Sequence, residues 1–154
     1  MTIQLPLAAH DAALAGQMLA MGEGARAASA AIAKAGPQKR TAALNAMAAR
    51  IRAAAPAILA ANATDMAAAA AKGISGAMLD RLELTPARIE AMAKGVEDVA
   101  ALPDPVGTVL ETWERPNGLT ISRVRGPIGV IGIIYESRPN VTADAGALCL
   151  RAAN

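Results

Sequence analysis

Residues 135–140, "YESRPN", place a phenol, a carboxylate, a hydroxyl, a guanidinium and a carboxamide within six consecutive positions. They follow the most apolar run of the chain, "PIGVIGII" at 127–134, and precede "VTADAGALCLRAA", which has a helical rhythm. Strand, polar loop and helix make the first half of a βαβ unit, and in such folds ligands bind at the carboxyl ends of the strands. Asn140, at the start of a helix, is an N-cap by default. Its side-chain amide is also a neutral donor, of the kind an oxyanion hole holds rigid where charge develops. Arg138 carries a planar fork suited to carboxylate or phosphate.

Other chemistry-bearing residues have bland explanations. Cys149 lies in "GALCLRA" between two leucines, with no cation or helix start placed to lower its pKa, and reads as structural. As the single cysteine, it excludes an intramolecular disulfide and a cysteine-based zinc site, and it favours a reducing compartment. His10 is the single histidine and has no companion for metal or acid–base work, so no metal is expected. Gly126, Gly129 and Gly132 resemble a dinucleotide fingerprint only in spacing. They stand before and inside the apolar run, whereas a fingerprint needs its glycines in the turn that follows, and "YESRPN" has none. Close packing on the sheet is their simpler use.

The elements that must position the loop divide the chain into residues 1–102, 103–126 and 127–154. The first part is rich in Ala, Leu, Met, Lys and Arg, all good helix formers. Leu44, Met47 and Ile51 share one helical face, and Ile89, Met92, Val96 and Val99 share another. Asn62 is expected to open a helix that Gly73 ends, and Thr85-Pro86 to open the next. "LPDPVG" is a linker. After it, "VGTVLETWERPNGLTISRVR" predicts a hairpin with Pro116-Asn117-Gly118 as its turn. The run 127–134 predicts a parallel strand buried between helix layers. Val141, Ala145, Leu148 and Ala152 are spaced for the buried face of the last helix. Such a strand needs hydrogen-bonding neighbours, and no later strand is present to supply them. The chain therefore reads as an N-terminal piece of a longer α/β protein, or as one that borrows strands from a partner.

Composition bounds the partners. The chain has 154 residues, 54% of them hydrophobic and 18% charged, with Trp113 and Tyr135 the only aromatics. It is expected to be globular, with a core of small aliphatic side chains. Its net charge of +2 and scattered basic residues argue against a nucleic-acid partner, and Lys39 and Arg40 read as a solvated helix start. The N-terminus lacks a basic leader followed by an unbroken apolar core, and the uncharged stretches are mostly alanine. No membrane partner and a cytoplasmic location are expected.

At the loop the sequence also becomes recognisable. "RVRGPIGVIGIIYESRPNVTADAGALCLRAAN" closely resembles the signature of glutamate-5-semialdehyde dehydrogenases, also called gamma-glutamyl phosphate reductases. "LAANATDMAAA", "ISGAMLDRLELTPARIEAMAKGVEDVAALPDPVG" and "NGLTISRVRGPIGV" match the same family in the same order, from about residue 10 onward. The resemblance implies the aldehyde dehydrogenase superfamily. In its terms the fold class is α/β: N-terminal helices of the cofactor domain (1–102), a linker and hairpin arm for homo-oligomers (103–126), and the incomplete first βα unit of the NADP-binding domain (127–154). It implies NADPH-dependent reduction of L-glutamate 5-phosphate to the semialdehyde, with phosphate release, in proline biosynthesis. A cysteine thiolate attacks the acyl phosphate in that chemistry; the family places it in a later segment, and Cys149 does not match it. Asn140 matches the superfamily's oxyanion-stabilising Asn, and Ile134, Tyr135, Glu136 and Ser137 match the strand end and loop beside the cofactor. Arg138 is a candidate for the substrate phosphate or carboxylate. Another member of the superfamily, or a non-catalytic binding or oligomerisation module, is the alternative; without the later segment the chain alone is expected to be inactive.

Overall fold

The computed structural model describes residues 9–136 and 138–154, so Ser137 and the His10 side chain lie outside the described residues. The architecture is mixed α/β and mostly helical, with one antiparallel pair of strands. Helices α1 (Ala9–Lys34), α2 (Pro37–Ala53), α3 (Ala55–Ala71), α4 (Ala77–Leu82) and α5 (Pro86–Ala101) come first. Strands β1 (Val109–Glu114) and β2 (Thr120–Val124) follow, and α6 (Val141–Arg151) closes the order.

Local chemistry sets several of these boundaries. Proline stands in the first turn of α2, α3 and α5, where its missing N–H has no helical partner to lose. Thr85 caps α5 as expected, its hydroxyl accepting from the Arg88 N–H at 3.2 Å. Gly73, at φ +80°, ends α3. Its N–H reaches the Ala70 carbonyl at 2.9 Å and the Ile74 N–H reaches Ala69 at 3.1 Å, the Schellman pairing.

Asn62 does not open a helix. α3 already begins at Ala55, with Pro56 in its first turn, so Asn62 falls in mid-helix and is buried. Its amide donates to the Leu82 carbonyl at 2.8 Å and its oxygen accepts from the Leu84 N–H at 2.7 Å. One side chain thereby satisfies both backbone groups of the turn between α4 and α5. Asn62→Ala is expected to orphan them at about 1–3 kcal/mol each; an unchanged urea midpoint would contradict this.

The core lies where α2, α5 and α6 meet. Leu44 and Ala48 from α2 pack with Ile89, Met92, Ala93, Val96 and Ala100 from α5 and with Ala143 and Ala147 from α6. The expected faces of α2 and α5 are the buried ones. That of α6 is not: Ala143, Ala147 and Arg151 turn inward, while Leu148 is 53% exposed. Small side chains let α6 approach α5 closely; a Cβ on Gly95 would stand 3.8 Å from an Asp144 carboxylate oxygen.

Two arginines in this interior fix the exit from α5. Arg40, expected in solvent, is 2% exposed, hydrogen-bonded to the Ala35 carbonyl and ion-paired with Asp104. Propensity and charge patterning did not anticipate it, because its partner lies 64 residues away. Arg151 donates to the Thr41 hydroxyl at 2.8 Å and to the Leu102 carbonyl. The linker before the hairpin is thus held from α2 and from α6.

The hairpin forms as read, with Trp113 opposite Ile121 and Glu114 opposite Thr120. The Gly118 N–H donates to Arg115 O at 2.9 Å, and the Arg115 N–H donates to Leu119 O at 2.9 Å. With Gly118 at φ +81°, this is a type I turn followed by a left-handed glycine, which closes a three-residue loop.

The run 127–134 departs from expectation. It forms no ladder, and Ile128 and Ile134 are strongly exposed. The reason is the absence, among the described residues, of a strand beside it. Asn154 anchors its start, its side-chain oxygen accepting from the Ile128 and Gly129 N–H groups at 2.6 and 2.9 Å.

On the outer surface, Arg52 of α2 forks onto Glu90 and Glu97 of α5. Hydrogen bonds from its guanidinium hold both carboxyls below their ordinary range, against the opposing cost of desolvation. Lowered folded values mean that this contribution is present above the unfolded value of about 4.3 and fades as pH falls through the folded values. Arg52→Met is therefore expected to lower the melting temperature at neutral pH, and only slightly, since water and salt screen the pair. A decrement undiminished at the most acid pH at which the chain stays folded would contradict this.

Candidate functional site

Arg138, Pro139 and Asn140 run directly into α6, and Arg138 and Asn140 are bound to its first turn. The Val141 N–H donates to Arg138 O at 3.1 Å, and the Ala143 and Asp144 N–H groups donate to Asn140 O at 3.0 and 3.1 Å. The Tyr135 hydroxyl is hydrogen-bonded to the Thr142 hydroxyl, which ties the end of the apolar run to the same turn.

Asn140 occupies the cap position without capping. Its backbone is already helical at φ −65°, ψ −28°, so its side chain makes no bond to the exposed N–H groups of α6. Instead its amide nitrogen donates to an Asp144 carboxylate oxygen at 2.8 Å. Asp144 orients the carboxamide through one N–H, and the second N–H has no hydrogen-bond partner among the described residues. Such an orienting contact is what a preorganised oxyanion donor requires.

Arg138, Pro139, Asn140 and Asp144 form one wall of a cleft of about 410 Å³. The opposite wall comes from α4, α5 and the turn between them, with Asp80, Arg81, Glu83, Leu84, Arg88, Ala91 and Met92. Arg88 is structural: it donates to an Asp80 carboxylate oxygen at 2.9 Å and to Glu83 O at 2.8 Å. Arg81, Glu83 and Arg138 form no ion pair among the described residues.

The fold therefore brings Arg138 and Asn140 together and keeps other candidates apart. Ile134 and Glu136 are exposed and Tyr135 is 45% exposed, and none of the three lines the cleft. Cys149 is half-buried and lines a separate pocket with Ile32 of α1 and Val130, Ile131 and Asn154. Among the described residues, no three His, Cys, Asp or Glu side chains gather as metal ligands, and no helix is long and apolar enough to cross a membrane.

No family model matches the chain. Individual relatives do. It is 68% identical over 139 residues to a gamma-glutamyl phosphate reductase of Rhodospirillum rubrum, covering 90% of this chain and 33% of that protein. It is 61% identical over 137 residues to the Caulobacter vibrioides protein of the same name, covering 89% and 33%. The crystal structure of the Thermotoga maritima gamma-glutamyl phosphate reductase superposes on 88% of the chain with a TM-score of 0.85 and 40% identity, using 33% of its own length. In sequence and in fold the chain matches the N-terminal third of gamma-glutamyl phosphate reductases. The Saccharomyces cerevisiae structure agrees, with a TM-score of 0.81 at 37% identity over 86% of this chain and 34% of that one. The chain spans about a third of the length of the curated reductases it matches, and its fold is that of the N-terminal part of their structures.

The far wall of the cleft was not foreseen from composition or spacing. Arg81 and Glu83 sit in "LDRLELTP" with no periodic signal to single them out. The resemblance in that stretch was the only sequence-level pointer, and it named no residue there.

Proposed function

We propose that this chain is the N-terminal part of an NADPH-dependent reductase that converts L-glutamate 5-phosphate to glutamate 5-semialdehyde with release of phosphate, in cytoplasmic proline biosynthesis. The observation that carries the reading is the Asn140 carboxamide, oriented by Asp144 and sharing one cleft with Arg138. When the acyl carbon becomes tetrahedral its oxygen turns negative, and the free Asn140 N–H is the donor that meets it. Arg138 takes the substrate's phosphate or carboxylate.

In this reading residues 1–102 are the helical part of the cofactor domain and 103–126 an arm through which copies associate. Residues 127–154 are the first βα unit of the NADP-binding domain. The superfamily is that of the aldehyde dehydrogenases. The apolar run 127–134, exposed and without a ladder, suits a strand completed by further strands of such a domain. Ile134, Tyr135, Glu136 and Ser137 are the residues that would line the cofactor. They fit its nicotinamide end better than its pyrophosphate, because no glycine in "YESRPN" lets backbone approach a phosphate. When bound, NADPH supplies the hydride. The nucleophilic cysteine belongs to a segment beyond these residues, so the chain alone is inactive.

The test uses the longer polypeptide that contains this chain. With saturating inorganic phosphate present, NADP-linked turnover of glutamate 5-semialdehyde should exceed that of short aliphatic aldehydes by at least tenfold, the scale of one recognition contact. Equal turnover would favour a general aldehyde dehydrogenase.

A further inference from the structure

The cleft holds more charge than the reacting acyl phosphate needs. Arg138 stands beside Asn140, where the acyl group is placed above, while Arg81 and Glu83 face it from the end of α4 and the turn after it. Arg88 and Asp80 neutralise each other, and Asp144 is taken by Asn140. Arg81 and Glu83 are left as one cation and one anion, two positions apart, with no ion-pair partner among the described residues. The same wall also carries the apolar side chains of Leu84, Ala91 and Met92.

We infer that Arg81 and Glu83 form the subsite for the α-amino-acid head of the substrate. Arg81 receives the α-carboxylate and Glu83 the α-ammonium, and the methylene chain runs past Leu84, Ala91 and Met92 toward Arg138 and Asn140. An adjacent cation and anion are complementary to a zwitterion and to neither charge alone, which makes the pair selective for a free amino acid end. Asn62 is the positioning residue for this wall. Its two hydrogen bonds, to Leu82 O and the Leu84 N–H, bracket Glu83 and fix the backbone that carries it. The proposal takes the glutamyl identity of the ligand from the reductase reading; the charge pattern itself is independent of it.

The experiment is a nuclear magnetic resonance titration of the 154-residue chain with three probes: L-glutamate, glutarate, which lacks the ammonium, and 4-aminobutyrate, which lacks the α-carboxylate. L-Glutamate is expected to shift the backbone resonances of Arg81, Glu83 and Leu84, with a dissociation constant in the millimolar range. Both truncated probes should bind at least tenfold more weakly. Arg81→Gln should abolish the preference for L-glutamate over 4-aminobutyrate, and Glu83→Gln its preference over glutarate, with the remaining resonances unmoved. Equal response to all three probes overturns the subsite, and so does an unmoved cleft at about 50 mM L-glutamate, well above millimolar affinity. Selective binding by the chain, together with a longer polypeptide that does not reduce the acyl phosphate, would sink the reductase reading and leave the subsite standing. An active reductase whose N-terminal part ignores L-glutamate would do the reverse.

Discussion

Asn140→Ala in the longer reductase is expected to lower kcat by about 10²- to 10³-fold, the usual cost of losing one oxyanion donor. KM should change little, because the ground-state carbonyl draws less on that hydrogen bond than the developing oxyanion does. The structure separates this effect from folding. Were Asn140 an ordinary N-cap, alanine would cost about 1 kcal/mol of stability. Here its side chain makes no capping bond and reaches only Asp144, so the melting temperature of the variant should stay within a degree or two. Asp144→Ala leaves the carboxamide in place but unoriented, and should lower kcat by a smaller factor. Loss of stability without loss of kcat in Asn140→Ala would return the residue to a structural role.

A large stability effect is expected away from the cleft. Asp104→Ala leaves the Arg40 guanidinium, 2% exposed, without its counter-charge. Breaking a buried pair in this way costs about 3–5 kcal/mol. The cause is the stranded charge and not the lost attraction. Replacing both partners by apolar residues, Arg40→Met with Asp104→Leu, should therefore recover most of the loss. Urea denaturation of the single and double variants gives the comparison. A double variant as unstable as Asp104→Ala would show that the linker after α5, and not the charge, sets the cost. A single variant within 1 kcal/mol of the parent, the range of exposed pairs, would mean that Arg40 finds another partner or reaches water.

Much of the fold was legible because its signals are local. Thr85-Pro86, Gly73 and Pro116-Asn117-Gly118 act through their own backbone, and each does in the structure what its type dictates. The misreadings share another origin. Asn62 looked like a cap because asparagine prefers caps, but its partners are at Leu82 and Leu84, in a different element. Arg40 looked solvated because arginine usually is, but its carboxylate partner comes from the linker after α5. The buried face of α6 was assigned to Val141, Ala145, Leu148 and Ala152, whereas close packing on α5 selects Ala143 and Ala147 and leaves Leu148 outside. The run 127–134 carries the composition of a buried strand, yet a ladder needs neighbours that the described residues do not contain. At the site, the loop residues were visible from their types and their place before a helix. The wall formed by Arg81 and Glu83 depends on how α4 meets the start of α6, and only the tertiary structure brings the two together.

The central claim is that the cleft beside Asn140 belongs to an acyl-phosphate reductase. Its most direct test is the phosphate dependence of the reverse reaction: NADP⁺ reduction by the longer polypeptide with glutamate 5-semialdehyde, followed with and without inorganic phosphate. Formation of an acyl phosphate consumes phosphate, so the rate should rise from near zero and saturate as phosphate is added. A full rate in its absence, with glutamate as product, would mean that water takes the acyl group and that the enzyme oxidises aldehydes instead.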